Sequence, residues 1–523
     1  MRTNAARVGF ILLGVTLGLW AFSPGPGWVQ ARKQEARAQN QTRPRVDPGA
    51  AELRRLTADP LYAMDDSYLR WPVPPALESY KRIDGARLKQ YVDALTAISR
   101  KSRDDGNRMW GRIAGTPYDV MTQKWLTAQF EKLGLKPGAE RLPLPPIWRA
   151  TSWEITAVSG GKQLKLTTAR PVLQAVATPP GGLSLDAEWV GLGTEADFRN
   201  RDVRGKAAFV YAIPQPGTLH YSARSNGAIQ RAEDKGAAAI VLIMGIPGSI
   251  TNQLWTRGER VPMFSMGLED GNAVRQLIED SAPGQAPKVN IRLETKTETG
   301  LESASIWAEL PGTSDENILV MAHADAWFEG ALDNASGVAT MLGLAGYFAQ
   351  VPREQRLRTI SFVGFSGHEM PDSSYPWAKW MVERKQDLLS RTALIVNCEH
   401  TAATEIYLYG DMLRKANTVT ARRVSVGGSR TLAPIIARSL AAFGIPTYAE
   451  LDSAPLGEIA SFFKFAPGFQ TIRDPVYYHS DADTPDIVPA AGLEAITRAY
   501  ANIIDEVNRL EAHKRRQPWG ASW

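Results

Sequence analysis

The stretch NILVMAHADAWFEGALDNASG, residues 317–337, decides the fold. Asn317 to Ala322 is an apolar, strand-like run that stops at His323-Ala-Asp325. A polar loop carries the chain to Asp333, and a helix-like pattern then runs from about Ser336 to Gln350. The same strand–loop–helix step recurs downstream. Arg358 to Phe365 leads to a helix near Trp377 to Leu389, and Ala393 to Val396 leads to one near Leu432 to Phe443. A closing helix is expected near Gly492 to Leu510. Alternation of this kind predicts an α/β three-layer sandwich with a mostly parallel mixed sheet.

In such a sheet, ligands sit beyond the carboxyl ends of the strands. His323, Asp325 and Asp333 follow the first strand, and His368 and Glu369 the second. Glu399 and His400 follow the third. After Phe469 to Ile472 come Tyr478-His479-Ser480-Asp481. A lone histidine or carboxylate at a strand end is more often a cap or a solvated loop residue. Four strand ends that each offer one are hard to assign to chance, because four of the six histidines fall there. Imidazole and carboxylate donors suit zinc or a similar divalent ion. Carboxylates crowded together without a cation would repel or protonate. The donors exceed what one zinc needs, and suffice for two ions sharing a carboxylate. Two ions about 3.5–4 Å apart hold a hydroxide and polarise a carbonyl.

The segment SFVGFSGHEM, residues 361–370, raises a separate question. His368-Glu369 is not half of an HExxH zinc helix, because Met370, Pro371 and Asp372 follow and proline breaks that helix. Ser366 lacks the spacing of a nucleophile elbow and reads as a turn residue. No phosphate-binding glycine loop is present. Asp372, Asp481, Asp483 and Asp486 read as turn and cap residues, with Asp481 a candidate to orient His479. His400 reads as an outer or solvated neighbour of Glu399 rather than a ligand.

Composition excludes other classes. The net charge of +5 is small beside 60 basic and 55 acidic side chains, and no basic block is interleaved with aromatics, so no nucleic-acid partner is expected. The single cysteine, Cys398, rules out an intrachain disulfide and a cysteine zinc site. Arg2 and Arg7 precede an apolar run from Val8 to Phe22, short for a membrane span and suited to a signal peptide, with Val29-Gln30-Ala31 as the cleavage region. The expectation is an exported protein, periplasmic or extracellular, with an uncleaved N-terminal anchor as the other reading. Membrane attachment would come through that segment alone.

Residues 1–31 are thus the signal peptide or anchor, and 32–84 a polar linker and proline-rich arm. A helix starts at Gly115-Thr116-Pro117 and ends at Gly134. Short β-like runs dominate 170–297, which reads as an inserted domain, with a helical piece from Asn226 to Lys235. The flanking parts, 85–169 and 298–512, form the sandwich, and 513–523 is a basic tail.

The ordered motifs resemble the co-catalytic zinc peptidases of family M28. They are His323-Ala-Asp325, Asp333-Asn-Ala-Ser-Gly337, His368-Glu369, Asn397-Cys-Glu399 and Tyr478-His479-Ser480. The step from His323 to Asp333 is similar to the branch containing glutamate carboxypeptidase II. Asp202-Val-Arg-Gly205-Lys206, Lys235 to Val241 and Val261-Pro-Met-Phe264 make the insertion resemble a protease-associated domain. The resemblance covers about residues 85–512.

It implies two divalent ions, with zinc favoured. His323 and Glu399 would hold one ion, Glu369 and His479 the other, and Asp333 would bridge them. Asp325 would orient His323, and Tyr478 would contact substrate. It also implies a peptide or N-acyl amino acid substrate, most simply for an aminopeptidase. Two positions depart from the pattern. Glu399 stands where the family usually has aspartate. His368 stands where the family places its glutamate base, making it the candidate proton shuttle beside a two-ion-bridged hydroxide. On this reading His368→Glu raises peptidase activity. The alternatives are an impaired pseudopeptidase or receptor-like protein, or another amide chemistry such as a deacylase or glutaminyl cyclase. Side-chain specificity, amino- against carboxy-terminal action and oligomeric state are not encoded in these motifs.

Overall fold

A computed structural model describes residues 71–511, apart from 215–220, 283, 371–374, 410–411, 449–456 and 474–475. The expected N-terminal segment, most of the linker, Asp372 and the basic tail lie outside the described residues. Among those described, no helix is long and apolar enough to cross a membrane.

The central sheet is built from β1 (Gly138–Pro143), β2 (Glu302–Leu310), β3 (Asn317–His323), β4 (Thr359–Phe365), β5 (Thr392–Asn397), β6 (Arg422–Gly427), β7 (Thr447–Tyr448) and β8 (Gly468–Ile472). Their order across the sheet is β7-β6-β8-β5-β3-β4-β2-β1. β4, β3, β5 and β8 run parallel, while β1, β2 and β6 pair antiparallel at the flanks. Parallel strands at the centre must be covered on both faces, so they read as continuous apolar runs. β3 is such a run, buried at every residue.

Its side chains divide by period two. Ile318, Val320 and Ala322 enter one core together with Ile360, Phe362, Leu394 and Val396. Leu319 and Met321 enter the opposite core with Val363, Phe365 and Ile395. Helices Gly85–Asp104, Gly337–Ala349 and Ala490–Asn508 fill the first face. Pro376–Arg384 and Gln386–Arg391 cover the second with Trp377, Met381 and Leu389. This is the three-layer arrangement that the alternation predicts. The single helix expected over 377–389 is divided at Lys385, whose φ of −121° is not helical.

The insertion carries its own eight-stranded sheet around a separate core. That sheet takes in Ile147–Ser159 and Lys162–Lys165, which lie ahead of the composition shift at residue 170. The helical piece expected at 226–235 is two short helices, Ser222–Ser225 and Ala228–Asp234. Gly227 between them has φ +74°, a conformation that interrupts a helix. The arm helix Pro75–Arg82 lies on the closing helix, where the Tyr80 hydroxyl donates to Asp505 Oδ2 at 2.6 Å.

Candidate metal centre

The parallel strands deliver their carboxyl ends to one edge, and the polar residues found there converge. Asp333 is the hub. Its Oδ1 lies 3.2 Å from His323 Nε2 and 3.1 Å from His400 Nε2. Its Oδ2 lies 3.0 Å from His479 Nε2. Glu399 Oε1 is 3.5 Å from His323 Nε2, and Glu369 Oε2 is 3.1 Å from His479 Nε2. Among the described residues three donor groups result: His323–Asp333–Glu399–His400 and Asp333–Glu369–His479, which share Asp333, and His368–Glu399–Glu458, which shares Glu399 with the first. All five ligand positions expected from sequence are therefore brought together.

The chemistry of this donor set fits divalent cations. Both Asp333 oxygens, His323 Nε2, His479 Nε2 and Glu369 Oε1 are buried without a hydrogen-bond partner. Unsatisfied buried polar atoms each cost about 1–3 kcal/mol, and more for charged groups, so so many converging on one point calls for a cation. Oxygen and imidazole donors match zinc. His323, Asp333, Glu369, Glu399 and His479 are the residues that would hold it.

Local structure explains the convergence. Arg112, fully buried, donates to the carbonyls of Ala324, Glu329 and Gly330 and to Ser99 Oγ. It thereby fastens both ends of the loop between His323 and Asp333. Burial pulls its pKa down to about 10, leaving it cationic at neutral pH. Asp483 accepts from the backbone N–H groups of Leu332 and Asp333 at 2.8 and 3.1 Å, and burial raises its pKa to about 7. Asn334 spans the strand ends, donating to the carbonyls of His323 and Cys398 and accepting from Gly337 N–H. The helix that starts at Gly337 passes so close to β5 that a Cβ there would lie 2.1 Å from Cys398 O. Replacing Arg112 with leucine is expected to cost on the order of 3 kcal/mol or more, since it strands several buried carbonyls. Denaturant midpoints of the variant and the parent chain would measure this, and an unchanged midpoint would refute the role.

Asp325 lies against His323 Nδ1, where sequence expects it, and also holds a neighbouring turn. The nearest acceptor for His323 Nδ1 is its carbonyl oxygen at 3.1 Å, with the carboxylate at 3.5 Å. That bond still leaves His323 Nε2 as the coordinating nitrogen. The carboxylate mainly accepts from the N–H groups of Gly367 and Glu369, at 2.9 and 3.0 Å, and so shapes the turn bearing His368.

His368 stacks on His323 with ring centroids 3.9 Å apart. Its Nε2 lies 3.6 Å from Glu399 Oε1, while Nδ1 lies 2.8 Å from Glu458 Oε2. Glu458 is completely buried and was not legible in the sequence. Burial and the neighbouring imidazole of His323 push the His368 pKa down, but Glu458 and Glu399 outweigh them and raise it to about 9. Nearby divalent charge would act in the opposite sense. Burial opposes ionisation of Glu399, yet His368 and His323 draw its pKa down to about 2. Burial likewise lowers the pKa of His479, and Glu369 with Asp333 lifts it to about 9.

The other residues singled out find partners of their own. Ser366 Oγ donates to buried Asp119, as a turn residue would. Tyr478 stacks on His479 at 3.7 Å. Asp481 accepts from Thr251 N–H of the insertion rather than orienting His479. Gln253 N–H donates to the His479 carbonyl at 2.8 Å, and the Trp255 ring lies 5.1 Å from the His479 ring. The inserted domain thus reaches the metal centre directly. His400, read as an outer or solvated neighbour of Glu399, is buried at 1% exposure.

Comparison with known proteins agrees with this geometry. Residues 305–504 match the model of peptidase family M28. Aminopeptidase YwaD of Bacillus subtilis is 26% identical over 274 residues, 51% of this chain and 54% of that protein. A glutamate carboxypeptidase 2 homolog of Caenorhabditis briggsae is 24% identical over 169 residues, 32% of this chain and 22% of that protein. The chain thus spans about half the length of the first of these relatives and less of the second. Among solved structures, a peptidase M28 precursor from Shewanella amazonensis superposes with a TM-score of 0.65 at 18% identity, covering 85% of this chain and 98% of that one. A zinc aminopeptidase from Bacillus subtilis gives 0.57 at 17% identity, covering 81% and 95%. These two likenesses establish the fold.

Proposed function

Because residues 305–504 of this chain match the model of peptidase family M28, we propose that it is a metal-dependent exopeptidase, most simply an aminopeptidase. The observation that carries the reading is the pair of buried donor groups that share Asp333. His323, Glu399, Glu369 and His479, with Asp333 presenting one oxygen to each group, would hold two zinc ions. When bound, such ions supply Lewis acidity toward a peptide carbonyl and make water nucleophilic at neutral pH.

The chain's own residues do the rest. His368 Nδ1–H donates to Glu458 Oε2, which leaves Nε2 as an acceptor at the rim of the Glu399 group. There Nε2 takes the proton of the attacking water and passes it to the departing amine. Glu458 fixes the tautomer and stabilises the transient imidazolium, as a buried carboxylate does for a histidine base in other hydrolases. Tyr478 and Trp255 flank His479, and in this reading Tyr478 contacts substrate.

The insertion is a protease-associated domain in this reading, placed to restrict entry. The N-terminal basic and apolar segment directs export to the periplasm or beyond, or anchors the chain.

Turnover of a panel of aminoacyl chromogenic substrates, with and without zinc, tests the proposal. Zinc-dependent release of the chromophore is expected. One observation favours a second reading, a catalytically impaired relative: His368 where a carboxylate base is the rule. Stoichiometric zinc with no turnover of amino- or carboxy-terminal substrates would select it.

A further inference from the structure

We infer that His400 is a ligand of the ion held by His323, Asp333 and Glu399. That ion is then enclosed by four side chains, while the ion at Asp333, Glu369 and His479 has three and keeps an open position. The inference rests on the two-ion reading above and goes beyond it by making the two positions unequal.

A residue that follows a ligand on an extended strand faces the other side. His400 does not, because its φ of +42° turns the chain and brings its ring back beside Glu399. Few non-glycine residues adopt this conformation, and those that do cluster at functional sites. His400 N–H donates to Asn334 Oδ1 at 3.1 Å, the same amide that ties together His323, Cys398 and Gly337. The turn is therefore built into the framework of the centre. The Tyr478 ring lies 5.6 Å from the imidazole.

The distances bracket the spacing of donors around one zinc ion. Donors about 2.0–2.2 Å from a zinc ion stand roughly 3.3–3.6 Å from one another. His400 Nε2 is 3.1 Å from Asp333 Oδ1 and 3.8 Å from Glu399 Oε1. His323 Nε2 is 3.2 and 3.5 Å from the same two atoms. The two imidazoles thus stand in nearly equivalent relation to the two carboxylates. Four protein donors close a zinc site, whereas three leave room for water or substrate. The enclosed ion would fix charge and structure, and the open one would exchange and meet substrate.

Zinc release from the purified full-length chain tests this. The zinc-loaded protein is challenged with excess dipicolinate, and release is followed with a chromogenic indicator. Two phases of equal amplitude are expected, with rates at least tenfold apart. His400→Ala should convert the slow phase to a fast one and leave the other unchanged, whereas His479→Ala should remove the fast phase. X-ray absorption at the zinc edge of the unmodified chain gives a variant-free readout, decisive even if His400→Ala fails to fold. Three imidazoles shared by two ions are expected, and two would overturn the inference. Release from His400→Ala indistinguishable from the parent would overturn it as well. If the parent chain takes up no zinc, the two-ion reading itself fails. If it binds two ions and His400 proves irrelevant, only the present inference falls.

Discussion

His368→Ala is expected to lower kcat by about 10²–10⁴-fold, the usual worth of a positioned acid–base group, with KM and zinc content little changed. The imidazole reaches the Glu399 group with Nε2 and is held from behind by Glu458, so its removal takes away proton transfer without taking away a ligand. Glu458→Gln should fall short of that loss, because a neutral amide still orients the ring but no longer stabilises its charged form. The informative variant is His368→Glu. From sequence alone it restores the family's base and raises activity. The structure predicts a fall, because the new carboxylate would face Glu458 and Glu399 across a buried space. Like charges there force one group to protonate. Pairing the change with Glu458→Gln removes that repulsion, and the double variant should exceed His368→Glu in kcat/KM. A rise for His368→Glu alone would show that Glu458 is not the partner of His368. Steady-state kinetics on one chromogenic substrate decide all four variants.

Asp333→Asn is expected to empty both positions together. Its two oxygens face different donor groups, and burial of so many polar atoms is tolerable only around a cation. Loss of an outer partner already costs 10–100-fold in metal affinity, so loss of the shared carboxylate should exceed about 100-fold for each ion. Zinc content after dialysis, by elemental analysis, checks this against His479→Ala, which should lose one ion. Retention of one zinc by Asp333→Asn would mean that the carboxylate does not bridge.

The five converging residues were legible because each follows a strand, and strands announce themselves as apolar runs broken by a turn. β3, β4, β5 and β8 all carry that signal, and their parallel order places the four loops on one edge. Glu458 carries no such signal. It sits in a short 3-10 turn, Glu458–Ser461, after Gly457 at φ +70°, and no strand points to it. Its partnership with His368 spans 90 residues and exists only in three dimensions. The burial of His400 beside Asp333 was hidden for a related reason, because nothing in the local sequence reveals its left-handed backbone. The additional contacts of the Asp325 carboxylate were likewise hidden, because its N–H partners at Gly367 and Glu369 come from another strand's loop.

The central claim is that distant stretches of chain converge to hold a pair of divalent ions on a shared Asp333. Anomalous diffraction at the zinc edge, from crystals of the zinc-loaded chain, tests it most directly. Two peaks are predicted, one beside each Asp333 oxygen, the first among His323 and Glu399 and the second among Glu369 and His479. A single peak away from Asp333, or none at full zinc loading, would contradict the account.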